Sequence, residues 1–214
     1  MVPSTSSTPA TLSPTSRGAT SLTPRTIPVR QPSLRDRISL VYRRRLLEAF
    51  RAQIQPGPGV RLLDLGGGTG AATEVFAHGA SEIVVVEPEP ARVARGRESH
   101  PTISFIEGPA ENLPFADRRF DRVVSSLSFH HFEDGARVLS EAYRVLRPGG
   151  SLFVLDVEAE SWRGRLFRFL HSFSRHGDLS FSAPSEVDGW LARAGFVEVR
   201  RDRLGPYYLL TARK

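Results

Sequence analysis

Cysteine is absent from all 214 residues of this chain. That absence excludes structural disulfides, thiolate zinc sites and any cysteine nucleophile. Long apolar runs are missing too, and none approaches the roughly 18 residues that a membrane-spanning helix needs. The N-terminus has no apolar stretch of the roughly 7–15 residues that a secretory signal carries. The expectation is therefore a soluble, cytoplasmic protein with no membrane span. Lysine occurs once, at Lys214, so arginine supplies nearly all the positive charge. Acidic residues are lacking from the first 34 positions altogether.

The net charge of +6 is unevenly placed. Residues 1–51 hold nine Arg against Asp36 and Glu48, whereas residues 52–214 hold 20 basic and 21 acidic groups. The larger part is thus close to neutral. A nucleic-acid partner would need basic residues gathered on a folded face, and this distribution argues against one. Residues 1–34 contain seven Ser, seven Thr and six Pro. Such a stretch buries too little apolar surface to offset its ordering entropy, so 1–33 reads as a disordered tail. Six prolines also speak against the amphipathic helix of a transit peptide. The rest, 34–214, has the length and the 40% apolar content of one domain.

From residue 34 to 55, Leu34, Ile38, Val41, Tyr42, Leu46 and Phe50 recur at helical steps with arginines between them. Such a helix either packs on the domain or closes over a substrate. After Pro56-Gly57-Pro58-Gly59 comes VRLLDLGGGTG, residues 60–70, around which the chain is organised. Val60–Leu65 suits a buried strand, Gly66, Gly67, Gly68 and Gly70 a tight turn, and Ala71–His78 a helix. Glycine permits positive φ and leaves no Cβ in a ligand's way. Glu87 closes a second apolar strand, Glu82–Glu87, 21 positions after Gly66. An acid there is placed to accept hydrogen bonds from ribose hydroxyls.

Further strands are expected at Ile103–Glu107, Phe120–Ser126 and Ser151–Val157, with helices at Pro88–Ser99 and Ala136–Leu146 between them. Alternating strands and helices argue for a Rossmann-like α/β fold with a parallel sheet and helices on both faces. An inserted segment, 159–183, carries Trp162, Phe167, Phe169 and Phe173 among arginines. A helix at Pro184–Ala194 and two strands, Phe196–Arg203 and Tyr207–Arg213, close the chain. The short link between those two demands an antiparallel pair. Seven strands result, one of them antiparallel near the C-terminus.

LLDLGGGTG, VVVEP, GPAENLPF, FDRVVSSLSFHHFED, RVLRPGGSLFVLD and AGFVEV occur in this order. Together they resemble a class I S-adenosylmethionine (SAM) methyltransferase, closest to the methyltransferase type 11 group that includes quinone-biosynthesis C-methyltransferases. The resemblance covers about residues 58–214 and implies SAM as cofactor. It places Asp64 toward the ammonium end of SAM, and Gly66, Gly67, Gly68 and Gly70 against its methionine part and ribose. Glu87 matches the ribose acid, and Pro88 and Ser126 neighbour the same site. Ala110 matches the position that addresses adenine. The family often has an acid just before that alanine, where this chain has Pro109, so either Glu111 takes over that contact or it is lost.

His130 and His131 match the methyl-facing loop. A neutral His there could act as a base; alternatively the pair is a structural motif, since the group carries His-His across unrelated substrates. No third ligand has a recognisable spacing, so no metal site is expected. The acceptor implied is a small organic molecule methylated at oxygen, nitrogen or carbon. The strand-four motif is not that of enzymes methylating exocyclic amines of DNA bases. Phe129, Trp162, Phe169 and Phe173 are expected to wall an apolar substrate pocket. Two other readings are a SAM-binding protein without transfer activity and a nicotinamide-dependent reductase; the G-x-G-x-G spacing counts against the latter. The sequence leaves the oligomeric state open.

Overall fold

The computed structural model describes residues 34–157, 183–204 and 207–214, with side chains from Arg44 onward. The expected tail at 1–33 lies outside the described residues, as does the inserted segment with Trp162, Phe169 and Phe173, Ala183 apart. The elements run α1 (Leu34–Ile54), β1 (Arg61–Leu65), α2 (Ala71–Phe76), β2 (Glu82–Glu87), α3 (Pro90–Ser99), β3 (Ser104–Glu107) and β4 (Phe120–Ser126). A 3-10 turn at Phe129–His131 leads to α4 (Gly135–Val145), β5 (Leu146–Val157), α5 (Pro184–Ala194), β6 (Val197–Leu204) and β7 (Tyr207–Arg213).

The seven strands form one sheet in the order β3-β2-β1-β4-β5-β7-β6. All neighbours from β3 to β5 are parallel, and β7 runs antiparallel to both β5 and β6. This is the expected mostly parallel sheet with one antiparallel strand. Chain order reverses between β1 and β4, and open sheets of this kind offer their ligand crevice at such a point, outside the carboxyl ends of the strands.

Strand side chains alternate between faces, which is why a continuous apolar run is needed where both faces are covered. Leu62, Val124, Phe153 and Leu155 point to the face covered by Phe50 and Ile54 of α1 and Phe76 of α2. Leu63, Val123, Leu152 and Val154 point the other way, to Val138, Leu139 and Ala142 of α4 and Leu191 of α5. Phe50 and Phe76 meet edge to face with ring centres 5.3 Å apart. The second half of α1 is thus a packing element of the domain.

Two local expectations shift. Pro90, not Pro88, occupies the first helical position of α3, with Glu89 as its cap, so Pro88 stays in the loop after β2. Strand β5 starts at Leu146 and pairs with Phe120 before the register slips. Arg147–Gly150 therefore ends α4 but forms an irregularity inside a strand. Gly149 takes φ +76° there, and Arg147 and Arg61 both pair with Asp121 of β4.

Candidate functional site

The turn after β1 is held from within. Gly66 N–H donates to the Val86 carbonyl at 2.8 Å, and Gly70 N–H to the Gly67 carbonyl at 2.9 Å. Gly66, Gly68 and Gly70 have φ of +71°, +60° and +79°. A Cβ on Gly66 would lie 2.7 Å from Ser128, one on Gly67 2.5 Å from Asp64 Oδ2, and one on Gly70 2.7 Å from the Phe105 ring. Packing of the protein against itself accounts for those three glycines. Gly68 differs: the nearest atom to its added Cβ is Arg92 Cδ at 4.0 Å, so this peptide faces open space.

Glu87, at the carboxyl end of β2, is 3% exposed. Its Oε2 accepts from Gly68 N–H at 3.0 Å and its Oε1 from Glu89 N–H at 3.2 Å, with the Arg92 guanidinium 3.9 Å away. A carboxylate has about four acceptor directions, so two such bonds leave capacity for hydroxyl donors. Asp64, one strand over, is 1% exposed. Its Oδ2 accepts from the Thr73 hydroxyl at 2.6 Å, while Oδ1 has no hydrogen-bond partner. Burial, together with the nearby charge of Glu87, lifts its carboxyl from 3.8 to about 7. Thr73 was not singled out from the sequence; a hydroxyl on the first turn of the helix that follows the glycines is the signal that could have found it.

A cavity of about 200 Å³ opens beside this turn. Gly66, Pro88, Ala110, Glu111, His131 and Phe132 line it, so four of the expected cofactor residues meet around one space. Ligand sites commonly measure about 300–1,000 Å³, so this one suits a single ring of a larger ligand. Pro109 lines it as well. Oε1 of Glu111 accepts from Glu133 N–H at 3.2 Å, tying the loop after β3 to the loop after β4.

The loop after β4 is fastened at three points. Ser128 Oγ donates to the Leu65 carbonyl at 2.8 Å and lies 2.9 Å from Ser125 Oγ. Oδ2 of Asp156 accepts from His130 N–H at 3.1 Å, and its Oδ1 meets His130 Nδ1 at 2.7 Å. The Val157 N–H reaches the same Oδ1 at 2.7 Å. His130 and Asp156 are both buried, whereas His131 is exposed with its ring 4.0 Å from that of His130. The phenol of Tyr208, across from Asp156 on β7, is pushed up by burial and by the Asp156 charge. Sequence reasoning found the histidines and missed Asp156, whose partner lies 26 positions away. Ser126 is half-buried at the end of β4. Phe129 is 7% exposed, edge to face with Phe132, in the core cluster against which Trp190 packs. Among the described residues no three His, Asp or Glu side chains gather to hold a metal ion.

Residues 63–154 match the family described as "Methyltransferase domain". The chain carries a methyltransferase domain. It is 36% identical over 122 residues to a demethylmenaquinone methyltransferase of Beutenbergia cavernae, covering 57% of this chain and 49% of that protein. It is 32% identical over 160 residues to a chloroplastic 2-methyl-6-phytyl-1,4-hydroquinone methyltransferase of Oryza sativa subsp. japonica, covering 72% and 44%. The chain thus spans about half the length of the curated relatives it matches. The fold is that of SAM-dependent methyltransferases: one from Thermotoga maritima, described as a possible histamine N-methyltransferase, superposes with a TM-score of 0.67 at 24% identity, over 83% of this chain and 90% of that one. In this methyltransferase domain the glycine turn, Glu87 and the cavity lie together at the carboxyl ends of β1, β2 and β4.

Proposed function

We propose that this protein is a SAM-dependent methyltransferase acting on a small organic acceptor. The observation that carries the reading is the bond from Gly68 N–H to Glu87. It joins an open, positive-φ peptide to a buried acid with spare acceptor capacity, beside a cavity of one-ring size. The residues present fit the cofactor. Glu87 would accept from the ribose hydroxyls, and Gly68 would let the ligand approach the backbone. Pro88, Ala110 and Glu111 would enclose the adenine ring. Asp64, beneath the turn, would face the positive charge, with Gly66, Gly67 and Gly70 shaping the turn and Ser126 at its far side. When bound, SAM supplies a methyl group on a sulfonium that leaves without needing a proton.

What remains for the chain is to align the acceptor and exclude water. The His130–Asp156 pair holds the loop after β4 against β5 and so sets where His131 and Phe132 stand at the cavity rim. Two relatives are named for quinone-type acceptors, which suggests a hydroquinone or similar planar ring here. Calorimetric titration with S-adenosylhomocysteine (SAH) and with NAD tests the cofactor, with micromolar binding expected for SAH alone. Methyl transfer from labelled SAM to 2-methyl-6-phytyl-1,4-hydroquinone or a demethylmenaquinol tests the acceptor class.

A further inference from the structure

Four acids are buried among the described residues: Asp64, Glu87, Asp121 and Asp156. Asp121 meets Arg61 and Arg147, Asp156 meets His130, and Glu87 has Arg92 at 3.9 Å. Asp64 alone has no cationic or histidine partner among those residues. From α2 it faces the Thr73 hydroxyl; from β2 and β4 its register neighbours are Val85 and Val124; the remaining titratable group near it is Glu87, of the same sign. A buried carboxylate with one donor and an orphaned oxygen is costly to ionise, because desolvation disfavours the charge and nothing opposite offsets it.

We propose that Asp64 holds a proton in the ligand-free site and releases it to solvent when the positively charged cofactor binds, which couples cofactor affinity to pH. This rests on the SAM reading above. The Asp64 O–H bond breaks, the proton passes to the buffer, and the carboxylate left behind is neutralised by the ligand's ammonium. With the carboxyl at about 7, the empty site is mostly protonated at pH 6 and mostly ionised at pH 8. Binding that requires the ionised form is roughly tenfold weaker at pH 6 than at pH 7.5.

The experiment is calorimetric titration of the full chain with SAH at pH 6 and pH 7.5, each in two buffers of different ionisation enthalpy. Release of close to one proton per SAH at pH 6, and of well under half at pH 7.5, is expected. Asp64→Asn should remove that release, leaving only what the ligand's own amino group contributes. Thr73→Val, which deletes the hydroxyl that lowers the Asp64 carboxyl, should move the midpoint of the affinity change to higher pH. SAH binding without proton release in the wild type overturns the coupling while leaving the cofactor site intact. Equal release in Asp64→Asn overturns it too, and if that variant does not fold, an unshifted midpoint in Thr73→Val does so. No SAH binding at either pH removes the SAM reading and the coupling together.

Discussion

The Gly68 amide and the Glu87 carboxylate, 19 residues apart in sequence, are 3.0 Å apart at the carboxyl edge of the sheet. One partner comes from the turn after β1 and the other from the end of β2. Their bond fixes the acid's orientation before any ligand arrives, which reduces the ordering cost of binding.

Replacing Glu87 by Ala leaves the Gly68 and Glu89 amides without their acceptor and removes the one proposed for the ribose hydroxyls. Hydrogen bonds to charged groups contribute about 1.5–3 kcal/mol each, so SAH affinity should fall about tenfold to a hundredfold. Calorimetry checks this, and an unchanged Kd would show that Glu87 is not the ribose acceptor.

Glycines of the turn should respond unequally to substitution. Gly70→Ala places a methyl 2.7 Å from the Phe105 ring at positive φ and should lower the melting temperature by about 4 °C or more. Gly68→Ala meets only the backbone strain of about 1–2 kcal/mol and should keep the fold. Gly68→Trp should also fold but lose SAH binding, because its ring would occupy the open space. Equal SAH affinity in the wild type and Gly68→Trp would show that the ligand lies elsewhere.

Asp64 makes stability depend on pH with a defined sign. Its folded carboxyl stands at about 7 against an ordinary 3.8, so the folded state holds the extra proton between those values. Stability from this group is complete below about pH 4 and is lost as pH rises toward 7. Asp64→Asn removes that dependence. The variant's melting temperature relative to wild type should therefore rise by about 4 °C or more between pH 5 and pH 8, followed by circular dichroism. A constant difference across that range would contradict the buried, protonated state.

Asp156→Ala strips the acceptor from three groups, the His130 amide, its Nδ1 and the Val157 amide. Leaving buried donors unpaired costs about 1–3 kcal/mol each. The melting temperature should drop by about 5 °C or more, and Asp156→Asn, which keeps an acceptor, should lose less. Equal melting temperatures for Asp156→Ala and wild type would mean that the loop is held by other contacts.

Deleting residues 1–30 should leave SAH affinity unchanged and the melting temperature within about 4 °C of wild type, since that stretch has no apolar pattern to contribute. A larger loss in differential scanning calorimetry would assign the stretch a place in the fold.

Local chemistry, repeated in order, was enough to read most of the architecture from the chain. Apolar runs bounded by glycine and proline located β1 and β2, and the short link before Tyr207 implied the antiparallel pair, because period and turn residues act over a few positions. The glycine turn and Glu87 were legible for the same reason: strand, turn and helix follow one another along the chain. Contacts between distant segments were not. Nothing near His130 announces Asp156, and nothing near Asp64 says that its carboxyl lacks a cation, since both facts depend on which strands lie side by side. Phe129 packs in the core cluster, and an aromatic side chain in a loop has no periodicity to say which way it faces. Composition and spacing determined the sheet and the turn; the packing of β5 beside β4, and of α2 over β1, decided which polar groups are paired and which one is left to titrate.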